Sequence, residues 1–158
     1  MTETKEQKTI LRVVVMTAFL TTFMGSALNL SIPAMETEFG IGATLVGWIV
    51  TAYTLSIAAM SVPFGKIADA AGRRGVLILG ISVFAVMSLG CGFCTDIWIL
   101  LVLRVAQGFG AAMIFATNNA ILISVYPADQ RGRVLGLSSA SVYVGLSLGP
   151  VIGGFLNH

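Results

Sequence analysis

The sequence predicts an all-α membrane protein with five transmembrane helices, and three observations carry that expectation. Of 158 residues, 56% are hydrophobic and only 10% charged, with a mean hydropathy of +0.93. Soluble domains carry about 25% charged residues, so this chain is too poor in charge to cover a water-facing surface. Its charges fall in a few short intervals, separated by apolar runs of roughly 20 residues or more, enough to cross about 30 Å of hydrocarbon at about 1.5 Å per residue.

Taken in order, residues 1–10 read as a polar N-terminal tail beginning MTETKEQK, and residues 11–158 as a partial transmembrane domain. The first helix is expected over about residues 11–33, closing at Pro33. It is too long for a signal-peptide core and lacks an A-x-A cleavage site, so it is expected to be retained. An acidic connection with Glu36, Glu38, Gly40 and Gly42 follows. The second helix is expected over about 44–64, ahead of the polar stretch GKIADAAGRR, and the third over about 75–93. A short link at Thr95 and Asp96 precedes the fourth, about 97–125, long enough to span with tilt. The link YPADQRGR then leads to the fifth, about 134–156.

Basic residues orient these spans, because Lys and Arg stay on the cytoplasmic side of short loops. An N-terminus inside the cell puts Lys5, Lys8, Arg12, Lys66, Arg73, Arg74, Arg131 and Arg133 on the cytoplasmic face. The external connections then hold only Glu36, Glu38 and Asp96. The expectation is a multi-pass protein of the cell membrane with a cytoplasmic N-terminus and the lipid bilayer as its surroundings.

Several functions are excluded by chemistry. Net charge is only +2 and no basic stripe alternates with aromatics, so nucleic acid is not a partner. Cys91 and Cys94 form a C-G-F-C pair with no second ligand pair, and the one histidine is His158. They read as small apolar residues near a helix end. No His cluster, paired intramembrane carboxylates or Ser–His arrangement is present, so no cofactor, metal or enzymatic reaction is expected.

Small residues recur at every fourth position in two helices: Gly108, Ala112, Ala116 and Ala120 in the fourth, and Ser141, Gly145, Gly149 and Gly153 in the fifth. Lipid gives apolar helices no hydrophobic reason to associate, and small side chains substitute close backbone contact.

Four motifs stand on these helices. Gly65-Lys66-Ile67-Ala68-Asp69-Ala70-Ala71-Gly72-Arg73-Arg74 joins the second to the third. Asp69 can pair with Arg73 if the turn is helical, or sit against the N-terminus of a neighbouring helix. Leu28-Asn29-Leu30-Ser31-Ile32-Pro33 closes the first helix. Arg104-Val105-Ala106-Gln107-Gly108-Phe109-Gly110-Ala111-Ala112 lies in the fourth, and Gly145-Leu146-Ser147-Leu148-Gly149-Pro150-Val151-Ile152-Gly153-Gly154 in the fifth. The first resembles the G-x-x-x-D-x-x-G-R-R loop of the major facilitator superfamily. The others resemble its L-N-x-A-x-P, R-x-x-Q-G-x-G-A-A and G-x-x-x-G-P-x-x-G-G motifs. In register, the four cover nearly the whole chain. The pattern is most similar to the 14-helix drug:proton antiporters.

That resemblance implies the N-terminal part of a major facilitator bundle, and a function in proton-coupled multidrug efflux by alternating access. It implies a cytoplasmic gate at Gly65, Asp69, Gly72, Arg73 and Arg74. Proton coupling or transport falls to Arg104, Gln107, Gly108, Asn29 and Pro33, and an antiporter seam to Gly145, Gly149, Pro150, Gly153 and Gly154. Two positions depart from the pattern: Met24 stands where many of these exporters have an aspartate, and Ala70 where a basic residue follows Asp69.

Arg104 also stands out without the resemblance, since a charge within a span costs about 2.5–3.5 kcal/mol on insertion scales. Asp96 lies two turns away, roughly 12 Å along the axis, so the partner is expected from another helix: Asn29, or a carbonyl near it freed by Pro33. Pro150 is expected to kink the fifth helix. Trp48, Tyr53 and Tyr143 read equally as cavity lining or as interfacial anchors.

Facilitators are built from two six-helix halves with substrate bound between them. Five helices leave such a half incomplete, and the small-residue face of the fifth would then meet lipid. The expected partners are therefore a small-molecule substrate, protons and the missing C-terminal helices of the same transporter. The alternative is a non-transporting membrane fragment or assembly subunit.

Overall fold

The computed structural model of the chain describes residues 4–27, 40 and 42–156. Among the described residues the elements are helices throughout: α1 (Lys5–Ala27), α2 (Ala43–Ala71), α3 (Arg73–Gly92), α4 (Ile97–Val125) and α5 (Ala128–Leu156). All five are long and apolar enough to cross a membrane. At about 1.5 Å per residue the 29-residue helices α2, α4 and α5 exceed the hydrocarbon thickness, so their ends project or they tilt.

Local chemistry sets the helix ends, and two of them depart from the hydropathy pattern. The residues expected to form a polar tail are helical from Lys5. Thr4 N–H donates to Gln7 Oε1 at 3.0 Å and Gln7 N–H to Thr4 Oγ1 at 3.3 Å. This reciprocal capping box satisfies donors that a helix start leaves free, so helix begins in polar sequence. The stretch GKIADAAGRR, expected as a loop, is helix up to Ala71 and again from Arg73. Only Gly72 interrupts it, at φ 104°, with its N–H donating to Ala68 O at 3.0 Å. That backbone conformation disfavours any side chain, and glycine permits it. Pro63 lies inside α2 and Pro150 inside α5, both within continuous helix. At the other end of the bundle, Asp96 caps α4 by accepting from Trp98 N at 2.8 Å and Ile99 N at 3.2 Å.

α4 is the central helix. It packs extensively on α2 and α3, while α1 pairs chiefly with α5 and also touches α4. Ala111, Ala112, Ile114, Thr117 and Leu122 of α4 are almost wholly buried. A Cβ at Gly110 would lie 2.7 Å from Phe84 N of α3, and one at Gly80 2.7 Å from Met113 Cβ of α4. Gly80 therefore belongs to the contact surface, although it lies outside the four-residue ribbons.

The ribbon of α5 does not face lipid, contrary to the expectation for an unaccompanied fifth helix. It packs on α1: a Cβ at Gly145 would collide with Thr22 Oγ1 and stand 2.8 Å from Phe19 O. One at Gly149 would stand 2.7 Å from Ser26 Cβ, and Ser26 Oγ donates to Leu146 O at 2.9 Å. The ribbon thus finds its partner within the chain.

Gly110→Ala forces α3 and α4 apart and is expected to cost about 1–3 kcal/mol, the range for overpacking. Gly47→Ala, inside α2 at a position with open space around it, is expected to raise stability by up to about 1 kcal/mol. Thermal unfolding in detergent checks both.

Candidate functional site

The most heavily buried charge in the bundle is Arg104, 5% exposed on α4. It lies eight residues past the cap at Asp96, roughly 12 Å into the helix. Its Nη1 donates to Gln107 Oε1 at 2.5 Å. Gln107, 1% exposed, passes the polar contact to the next helix: its Nε2 donates to Ser88 Oγ of α3 at 2.6 Å. Ser88 Oγ in turn donates to Phe84 O at 2.7 Å. Arg104 Nε is buried and has no hydrogen-bond partner among the described residues.

Among the described residues the partner of Arg104 is nearer than the first helix. Gln107 on its own helix supplies the acceptor, three residues on and on the same face. Asn29 and Pro33 lie outside the described residues. The acceptor is neutral, and the carboxylates among the described residues, Glu6, Asp69, Asp96 and Asp129, all stand near helix ends. Among the described residues the guanidinium is thus hydrogen-bonded without a counter-charge, a costly condition in a low dielectric.

Gly108 places α2 against this face, for a Cβ there would lie 2.6 Å from Ser56 Cβ and 2.8 Å from Tyr53 O. Tyr53 is 5% exposed, and its hydroxyl donates to Thr21 O of α1 at 3.1 Å. It is a bridge between helices. Trp48 and Tyr143 are 51% and 69% exposed on the outside of the bundle.

At the basic end, Asp69 and Arg73 meet as the helical spacing allows. Arg73 Nε donates to Asp69 Oδ1 at 2.9 Å, and Nη1 reaches Ala120 O of α4 at 2.9 Å. The start of α3 is thereby tied to both α2 and α4. Gly65 faces Ala116 across the α2–α4 contact at 4.0 Å. Arg74 is exposed. Gly145 and Gly149 stand on α1 as described above, and Pro150 sits beside them in α5. Gly153 and Gly154 are helical in backbone, and their surroundings lie outside the described residues.

The structure therefore keeps three sequence clusters apart: the Arg104 group towards the acidic end, the Asp69–Arg73 group at the basic end, and the α5 glycines on α1. It also adds residues that motif reading missed. Asn118, 2% exposed, donates through Nδ2 to Thr17 Oγ1 of α1 at 3.1 Å. Gln7 Nε2 donates to Val125 O at 3.1 Å, and Tyr126 hydroxyl to Gln7 O at 2.9 Å, pinning α1 to the end of α4. The amide of Asn118 within an apolar run was the one available signal for the first of these.

Two adjoining grooves open between α1 and α3 along α4. One, of about 730 Å³, lies at the basic end between Ile10, Val13, Leu77 and Ile78, with Lys5, Arg73 and Arg74 on its lining. The other, of about 220 Å³, continues past Ile81 between Thr21, Met24, Phe84 and Ser88. Met24, the site of the missing aspartate, therefore shares a groove with Ser88.

Comparison with known proteins gives concordant results. The profile of the Major Facilitator Superfamily matches residues 14–158. The riboflavin transporter RibZ of Clostridioides difficile is 32% identical over 152 residues, covering 96% of this chain and 33% of that protein. The multidrug resistance protein Stp of Mycobacterium tuberculosis is 33% identical over 129 residues, covering 81% and 24%. The methylenomycin A resistance protein of Streptomyces coelicolor is 31% identical, covering 89% and 31%. In fold, the chain superposes on a bacterial homologue of the human lysosomal transporter Spinster, in an inward-facing unoccupied conformation, with a TM-score of 0.86 and 23% identity over 98% of this chain and 33% of that one. The chain spans a third or less of the length of these proteins.

Removing the buried acceptor and removing the surface carboxylate should differ in cost. Gln107→Ala leaves a buried guanidinium without its hydrogen bond and is expected to destabilise by about 2–3 kcal/mol. Asp69→Asn breaks a solvent-facing pair and is expected to cost about 1 kcal/mol or less. Denaturant titration in detergent measures the order.

Proposed function

Because this chain belongs to the Major Facilitator Superfamily, we propose that it forms the first part of a transporter exporting drugs or amphiphilic small molecules by alternating access, in exchange for protons. The observation that carries this reading is Arg104, a guanidinium fixed within a span by a neutral amide, with Nε unpartnered among the described residues. A fixed cation of this kind lowers the pKa of any carboxylate that approaches it and releases that carboxylate once it is protonated. Such a pair couples proton binding to helix movement. No carboxylate lies deep in the described spans, so the titrating group is assigned to helices beyond this chain. The names of Stp and the methylenomycin A resistance protein support a drug or antibiotic cargo. The match to a riboflavin transporter supports a second reading with a vitamin-like cargo.

The same proposal places the protein in the cell membrane with its N-terminus and the Asp69–Arg73 junction in the cytoplasm, where that junction serves as part of a gate. The Gly145, Gly149 and Pro150 seam holds α5 on α1 during exchange. Further helices pack on the chain at the groove between α1 and α3. α4 packs on α2 and α3 and touches α1, whereas among the described residues the side of α1 that faces α3 borders the open groove. A helix entering from the acidic end would bring its C-terminus, the negative end of its dipole, to Lys5, Arg73 and Arg74.

Three outcomes are expected in the transporter completed by its remaining helices. Arg104→Ala should abolish proton-driven efflux while membrane insertion persists; unchanged efflux removes Arg104 from the mechanism. With Cys91 and Cys94 replaced by serine, Arg74→Cys should resist impermeant thiol reagents applied outside intact cells, and rapid labelling would reverse the sidedness. In the same background lacking Cys91 and Cys94, Ile81→Cys should react with a membrane-permeant maleimide in the isolated chain and be protected in the complete protein; equal reactivity would remove the helix from the groove.

A further inference from the structure

Three consecutive hydrogen bonds run from α4 into α3, and their polarity is fixed at one end. Ser88 has a single hydroxyl proton, and it is committed to Phe84 O at 2.7 Å. Towards Gln107 the Ser88 oxygen can therefore only accept. Gln107 must turn its amide NH₂ to Ser88, 2.6 Å away, and this leaves only Oε1 to face Arg104 at 2.5 Å. The reverse amide orientation would point two donors at a guanidinium that has nothing but donors. Because Gln107 is 1% exposed, water does not offer a substitute partner.

We infer that Ser88 is a positioning residue for Arg104: by accepting from Gln107 it locks the amide in the one orientation that holds the guanidinium, so that Nε is presented in a fixed direction. The inference rests on the transport role proposed for Arg104. Ser88 itself never contacts Arg104 and acts only through Gln107. It also lines the narrow groove with Thr21 and Met24, so whatever fills that groove abuts the anchor of the chain of bonds. A carboxylate that approaches Nε meets a pre-oriented donor, and geometry of this kind governs how strongly a transient pair forms.

The test uses the complete transporter carrying Ser88→Ala, Ser88→Thr, Gln107→Glu and Arg104→Ala. Ser88→Ala is expected to lower turnover about tenfold and shift its pH profile, with KM within about twofold, on the loss of one charge-linked hydrogen bond. Ser88→Thr keeps the hydroxyl and should restore both. In Gln107→Glu the side chain has no donor to misdirect, so adding Ser88→Ala should cause no further loss. In the 158-residue chain, held in nanodiscs and labelled with ¹⁵N-arginine, the Arg104 Nη signals, identified by their loss in Arg104→Ala, should be resolved in the wild type and in Ser88→Thr. In Ser88→Ala they should average together. Wild-type turnover and pH profile in Ser88→Ala, beside an inactive Arg104→Ala, would overturn the positioning role. So would equal impairment by Ala and Thr, additive losses in the Glu background, or unchanged Arg104 signals in Ser88→Ala. Normal efflux by Arg104→Ala would instead strike the transport reading, and the nanodisc spectra would still decide the geometry.

Discussion

Hydrocarbon offers no hydrogen-bond partner, and the placement of polar groups in this bundle follows from that constraint. Threonines and serines of the spans return their protons to carbonyls one turn back, as Thr17, Thr21, Ser56 and Ser61 do. On α4, Gln107 and Asn118 bond across to neighbouring helices, and Arg104 is held beside them by Gln107. Arg104, Gln107 and Asn118 are all buried there. A helix so occupied on one face cannot sit at the periphery, and its central position is the consequence.

The second requirement is closeness. Bonds of 2.6–3.1 Å between side chains of different helices demand that the backbones nearly touch. Glycines provide this where the polar groups need it. Gly108 admits Tyr53 and Ser56 of α2 one residue beyond Gln107. Gly110 admits α3 near Phe84, the carbonyl on which the bond sequence through Ser88 ends. Packing and hydrogen bonding in this region are one arrangement, and a change in either disturbs the other.

The number of helices and the family were legible in the sequence because apolar runs and motif spacing are local properties. The helix ends were less so. Hydropathy sees Lys5 and Lys8 as tail, but the Thr4–Gln7 box is a hydrogen-bonding signal that such a scale does not weigh. In the same way, a polar stretch around Asp69 reads as loop until one glycine is seen to make the entire turn. For the site, the sequence marked Arg104 and Gln107 on one face yet sent the search for a partner to another helix. What it lacked was the orientation of the Gln107 amide, which depends on a serine 19 residues earlier in a different element. The small face of α5 was likewise visible, and its partner α1 was not, since a stripe of glycine names no recipient.

The joint between α2 and α3 is a single residue long, and this restricts what can happen to it over evolutionary time. Substitutions around Gly72 alter chemistry at one position. An inserted residue would instead turn everything that follows by about 100° and carry Arg73 away from both Asp69 and Ala120. Descendants of this gene can therefore vary in spelling at that corner while keeping its length, and insertions should accumulate at other connections of the chain.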